Sequence, residues 1–227
     1  MKAFEQAVNL GYRYVETDVH LTADGVLLAF HDDVLDRVTD RTGVVAELPY
    51  AEVSRALVDG KEPIPRLEDL LAAWPDLRVN IDPKHDESVD ALAAVVNKAN
   101  AAHRVCIGAF SDERLARMRA LVPGICTSLG PFGILNLGLA ATGQEPQGEI
   151  AAPCAQVPTH FGDTEIVTQA FVDEAHRRTM QVHVWTIDDA AEMTRLLDLG
   201  VDGIMTDRNQ VLKDVCIARG AWPGPTG

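Results

Sequence analysis

Two carboxylates alternate along the strand-like run 13–19: Glu16 and Asp18 stand two residues apart, so an extended backbone turns both to one face. The run 79–84 repeats the arrangement with Asp82 and Lys84, and a third ends in His31-Asp32. Three convergent carboxylates suit a hard divalent cation, Mg²⁺ or Ca²⁺, which takes oxygen ligands. Lys84 beside them would set a positive charge next to an anionic substrate. His31, whose reference pKa lies near neutrality, is a candidate general acid or base. Hydrolysis of a phosphoester needs this set: a cation on the phosphoryl oxygens, positive charge and a proton carrier. Trp185 and Thr186 end a further run, and Asp207 follows the last one.

Each of these residues has a plainer reading alone. A single strand-end carboxylate is most often a cap or a loop ion pair, and a single Trp is most often core or rim. Two carboxylates alternating on an apolar strand are costly without compensation, which brings the functional reading level with the plain one. His20, His85, His103, His160, His176 and His183 stand at no suggestive spacing and are expected to be surface or core residues.

The elements that must position these groups read as strands alternating with helices. A first helix spans 2–10, with Gly11 as its stop. The strands on either side of Ala23-Asp-Gly25 are too close for a crossover and are expected to form a hairpin. Residues 33–66 are irregular, with one short helical stretch near 50–57, and the hairpin and insertion together cover about 20–66. From 67 onward the strand–helix beat is regular, which points to a parallel sheet covered by helices. Strands with proper crossovers end near Val19, Pro83, Ala109, Leu129, Val157, Ile187 and Thr206, seven in all. An eight-stranded (β/α) barrel needs one more, expected upstream of Met1. A doubly wound sheet is the rival, without a G-x-G-x-x-G turn to support it. The reading is one domain over 1–219 and a flexible tail over 220–227.

Composition narrows the function classes. The 227 residues are 47% hydrophobic and 24% charged, as in ordinary globular chains. A formal charge of −14 disfavours a nucleic-acid groove or an anionic membrane surface. No apolar run approaches the roughly 20 residues of a membrane span. Cys106, Cys126, Cys154 and Cys216 contain no C-x-x-C pair, and three of the four fall in apolar, strand-like runs where a free Cys reads as a small hydrophobe. With no signal-peptide pattern at the amino terminus, a cytoplasmic setting is expected.

The stretch from Glu16 to Asp32, ETDVHLTADGVLLAFHD, resembles the central signature of the glycerophosphodiester phosphodiesterase family. Leu35-Asp-Arg-Val-Thr39, Thr42-Gly43, Ile64-Pro-Arg-Leu-Glu-Asp-Leu70, Val184-Trp-Thr-Ile187 and Val201-Asp-Gly-Ile-Met-Thr-Asp207 match its pattern too. The resemblance runs from residue 3 to about 212 and implies a (β/α)8 barrel of the phospholipase-C-like phosphodiesterase type. It implies hydrolysis of glycerophosphodiesters to glycerol 3-phosphate and an alcohol, with Mg²⁺ or Ca²⁺. Glu16, Asp18 and Asp82 would be metal ligands, His31 one of two catalytic histidines, and Lys84 and Trp185 substrate contacts. Arg37 is given nothing beyond a loop salt bridge. Asp82 stands where the family usually has glutamate. The family's first strand ends in His-Arg-Gly and is followed by Glu-Asn-Thr, and Met1 falls inside the helix after it. The expectation is therefore a truncated chain of impaired activity. The alternatives are a non-catalytic phosphate-binding barrel and a phosphodiesterase acting on lysophospholipids.

Overall fold

The computed structural model describes residues 1–222, in two compact units divided between Cys126 and Thr127. The expected flexible tail lies largely outside the described residues.

The first unit opens with α1 (Lys2–Leu10), closed by Gly11 in the left-handed conformation at φ 101°. The strand β1 (Tyr14–Leu21) then pairs antiparallel with β2 (Leu27–Ala29), in the register Val19 to Ala29 and Leu21 to Leu27. The hairpin expected from Asp24-Gly25 is therefore present. Its turn is fastened by Thr22, whose hydroxyl donates to Asp24 Oδ1 at 2.7 Å and accepts from the Val26 amide at 2.9 Å. Gly25 takes the positive φ of 84° that the turn requires.

Residues 33–66 carry more structure than the sequence pattern indicates. They hold α2 (Tyr50–Val53) and a two-stranded ladder of β3 (Leu57–Val58) with β4 (Glu62–Pro63). They also build a small core of their own, in which Leu35, Val45, Val53, Ala56 and Ile64 pack with Leu28 and Phe30 of the hairpin. These side chains follow no period, which is why no periodic signal marks the segment.

The regular part follows: α3 (Leu67–Ala73), β5 (Arg78–Pro83), α4 (Ser88–Lys98), β6 (Val105–Ile107), α5 (Asp112–Leu121) and β7 (Cys126–Thr127). The sheet order is β2-β1-β5-β6-β7. β5 lies parallel to both β1 and β6, with Glu16 opposite Asn80 and Asp18 opposite Asp82. One face of this sheet is sealed by Val79, Ile81, Val105 and Ile107 against Leu70, Leu71, Leu92, Val96 and Met118 of the helices. Removing each such side chain from water stabilises the unit by about 1.5–3 kcal/mol. Alternation leaves Glu16, Asp18 and His20 on the other face, beside Asn80, Asp82 and Lys84.

The second unit contains α6 (Pro131–Ala141), β8 (Cys154–Pro158), the small ladder of β9 (His160–Phe161) and β10 (Thr164–Glu165), α7 (Gln169–Arg177), β11 (Gln181–Trp185), α8 (Ala190–Asp198), β12 (Gly203–Ile204) and α9 (Asn209–Ala218). Its sheet runs β12-β11-β8, all parallel. Among the described residues, the seven crossover strands expected from the sequence are those observed. The strand placed at 124–129 is only two residues long, because Ser128 already leaves β7 for an isolated bridge to Cys154. No described helix is long and apolar enough to cross a membrane.

Candidate active site

The first unit brings three of the expected residues into direct contact. Lys84 Nζ lies 2.5 Å from Asp18 Oδ1 and 3.2 Å from Asp82 Oδ2. The parallel register that sets Asp18 opposite Asp82 causes this, and Lys84, two residues past Asp82, falls between the carboxylates. Lys84 was expected to face substrate; in the structure it is already the counter-charge of two carboxylates. Burial opposes its ammonium, but the bonds to Asp18 and Asp82 outweigh it and raise its pKa.

Asp82 is buried, and its Oδ1 has no hydrogen-bond partner. Burial raises the pKa of this carboxyl, an effect only partly offset by Lys84. A buried carboxylate oxygen left without a donor is costly unless something else satisfies it. A hard cation does so, and the oxygen donors Glu16, Asp18 and Asp82 are the set such an ion takes. Glu16 is exposed, one strand repeat from Asp18 on the same face of β1 and in register with Asn80.

His31 stands just past the hairpin strand β2, with its side chain 69% exposed. Its Nδ1 is 2.7 Å from Asp32 Oδ1. Arg37 grips the same carboxylate through Nε and Nη2, both at 2.7 Å, so the loop salt bridge expected of Arg37 is present. The Arg37 hydrogen bond, supported by His31, lowers the Asp32 pKa to about 2. An ionised carboxylate only accepts, so Nδ1 of His31 carries the hydrogen and Nε2 is left to exchange a proton.

Two histidines dismissed on their spacing are drawn into this region. His20 is 2% exposed, and its Nε2 donates to the His31 carbonyl at 3.0 Å. His85 Nε2 is 3.0 Å from Asp33 Oδ1, which lies 3.6 Å from His20 Nδ1. His20 is a core residue and His85 a surface one, as expected, but both come to one carboxylate, Asp33, which spacing along the chain cannot show. Burial pushes the His20 pKa down. Arg114 was also missed. From α5 it donates to the carbonyls of Pro83 and Lys84 at 2.7 and 2.8 Å and to Asp86 at 2.9 Å, fastening the end of β5 that carries Lys84. One of three arginines in a charged helix, Arg114 gives no sequence signal for that.

Trp185 belongs to the second unit, where it is half-buried at the end of β11 opposite Pro158. Asp207 donates its amide to Asp188 Oδ1 at 2.9 Å, a loop contact of that unit.

The sequence model of the glycerophosphoryl diester phosphodiesterase family matches residues 1–211. The chain belongs to that family. It is 41% identical over 231 residues to a probable glycerophosphodiester phosphodiesterase 2 of Mycobacterium tuberculosis, across 99% of this chain and 87% of the relative. It is 28% identical to a lysophospholipase D of Mus musculus, across 94% of this chain and 80% of that protein. Among solved structures, a glycerophosphodiester phosphodiesterase from Parabacteroides distasonis matches with a TM-score of 0.76 at 23% identity, over 96% of this chain and 90% of its own. An Oleispira antarctica phosphodiesterase in complex with the product sn-glycerol-3-phosphate matches with a TM-score of 0.74 at 20% identity, over 95% and 90%. The fold class is the (β/α) barrel of this phosphodiesterase family, as the strand–helix alternation led one to expect.

Proposed function

We propose that this protein is a divalent-metal-dependent phosphoric diester hydrolase that cleaves glycerophosphodiesters to glycerol 3-phosphate and an alcohol. The observation that carries the metal-dependent part is the cluster of Asp18, Asp82 and Lys84 with a buried carboxylate oxygen left unsatisfied. In this reading Glu16, Asp18 and Asp82 hold Mg²⁺ or Ca²⁺, which when bound draws charge from the phosphoryl oxygens.

The protein's own groups supply the rest. Lys84 neutralises the carboxylates and presents its ammonium to a phosphate oxygen as it exchanges partners. His31 moves the proton through Nε2. Asp32 holds its tautomer by accepting from Nδ1, and Arg37 keeps that carboxylate ionised and in place. Arg114 positions Lys84 through the backbone. Trp185 is carried as a substrate contact on the resemblance alone, within a single barrel domain over 1–219 and a cytoplasmic setting.

The test is release of glycerol 3-phosphate from glycerophosphocholine by the full chain, with Mg²⁺ or Ca²⁺ and after chelation. Metal-dependent release that disappears in Asp82→Asn and in His31→Ala supports the proposal. Binding of the diester without turnover would leave a ligand-binding barrel instead. The lysophospholipase D name of the mammalian relatives makes lysophosphatidylcholine the second substrate to assay.

A further inference from the structure

His20, Asp33 and His85 lie in the first unit with one ligand atom of each within 4.8 Å of the others. We propose that these three residues form a second cation site, distinct from the Glu16, Asp18 and Asp82 set, that takes a late first-row divalent ion such as Zn²⁺. The site stands on its own geometry and does not depend on the phosphodiesterase reading.

Distance is the first argument. Ligand atoms bonded to one tetrahedral Zn²⁺ at about 2.1 Å stand roughly 3.4 Å apart. Asp33 Oδ1 is 3.0 Å from His85 Nε2 and 3.6 Å from His20 Nδ1, which brackets that separation. Small rotations of the exposed Asp33 and His85 side chains would equalise the two.

Orientation is the second argument. The Nε2 of His20 is committed to the His31 carbonyl, so its hydrogen sits there and Nδ1 presents a lone pair. That nitrogen is too far from Asp33 for a hydrogen bond, although its side chain is only 3% exposed. An imidazole whose one N–H donates to a backbone carbonyl, leaving the other nitrogen as a lone pair to coordinate, is the outer-shell arrangement of metal-binding histidines. The rings of His20 and His85 are tilted by 55° with centroids 5.3 Å apart, so the two are not stacked on each other.

Donor chemistry separates this site from the first. Two imidazoles and one carboxylate select Zn²⁺ or its neighbours over Mg²⁺ and Ca²⁺, which prefer all-oxygen sets. Three protein ligands leave a fourth position for water. Asp33 and His85 are half or more exposed, so an ion can enter from solvent and meet His20 at the bottom.

The experiment titrates the metal-depleted full chain with Co²⁺ in excess Mg²⁺, then displaces it with Zn²⁺. The expected result is one Co²⁺ with visible ligand-field absorption, lost on adding Zn²⁺. His85→Ala and Asp33→Ala should each weaken binding by about tenfold or more, whereas His31→Ala, which keeps its carbonyl, should leave it unchanged. Cys106 and Cys126, whose sulfurs are 3.2 Å apart, are the competing ligands. Near-ultraviolet thiolate charge-transfer bands that vanish in Cys106→Ser would overturn the assignment. So would equal Co²⁺ affinity in wild type, His85→Ala and Asp33→Ala, or no Co²⁺ bound in excess Mg²⁺.

Discussion

His31 and Asp32 are joined at 2.7 Å through Nδ1, and the carboxylate between His31 and Arg37 is ionised down to a pH of about 2. In the proposed mechanism the pair works as a unit, with Asp32 holding the imidazole and Nε2 exchanging the proton. His31→Gln should lower kcat by roughly 10²–10⁴-fold with little change in KM. Asp32→Asn should lower it less, because the ring remains but its orientation and tautomer are no longer held. Steady-state release of glycerol 3-phosphate checks both, and a His31→Gln enzyme within a few-fold of wild type would remove His31 from the chemistry.

Asp82 gives a prediction in which stability and function move in opposite directions. Its buried, unsatisfied oxygen opposes folding of the metal-free protein. Asp82→Asn removes a buried charge but also half of the Lys84 pairing, so its metal-free Tm should stay near wild type or rise. The wild type should gain Tm on adding Ca²⁺ or Mg²⁺, as any ligand specific to the native state requires, and the variant should gain far less. Thermal melts with and without the ion decide the point; equal shifts in the two proteins would exclude Asp82 as a ligand.

How much of this was legible follows from the range of each signal. Glu16 with Asp18 and Asp82 with Lys84 could be read because period-two alternation is local. That Asp18 faces Asp82 could not, since the pairing joins strands some sixty residues apart and depends on register. His20 near the end of β1 and His85 just past β5 both come to Asp33, beyond β2, and no spacing along the chain announces that. The hairpin was legible from Asp24-Gly25, while the small core of 33–66 rests on scattered apolar residues without a period. Lys84 is legible as a charge near the site, but its pairing with two carboxylates depends on the β1–β5 register.

Arg104 offers a test of the scaffold away from the chemistry. It is 8% exposed and donates to the carbonyls of Leu71 at 2.7 Å, Leu77 at 3.0 Å and Trp74 at 3.3 Å, at and beyond the end of α3. Leu71 lies in the last turn of α3, where no later turn supplies an amide, and Leu77 lies beyond the helix, so the guanidinium serves these two carbonyls, while that of Trp74 also accepts from the Leu77 amide at 3.1 Å. Arg104→Met keeps the packing of the stem and strands the acceptors, and should cost about 1–3 kcal/mol. Chemical denaturation measures it, and an unchanged midpoint would show that water replaces the guanidinium.

Glu174 sets an acid limit on the second unit. On α7 it accepts from Arg177 at 2.7 and 2.8 Å and from Arg178 at 2.8 Å, with its side chain 12% exposed. The Arg177 hydrogen bonds, joined by Arg178, lower its pKa from 4.5 to about 2. A carboxyl whose folded pKa lies below its unfolded one stabilises the protein above the unfolded value. That contribution is lost as pH falls through the window from about 4.5 to about 2. Glu174→Gln removes the titration, so the variant should be less stable than wild type at neutral pH, and the gap should close as pH falls through that window. Both arginines are solvent-facing to different degrees, so added salt should narrow the neutral-pH gap. Denaturant midpoints against pH for the two proteins are the measurement, and parallel curves between pH 2 and pH 5 would show that Glu174 is not the linked group.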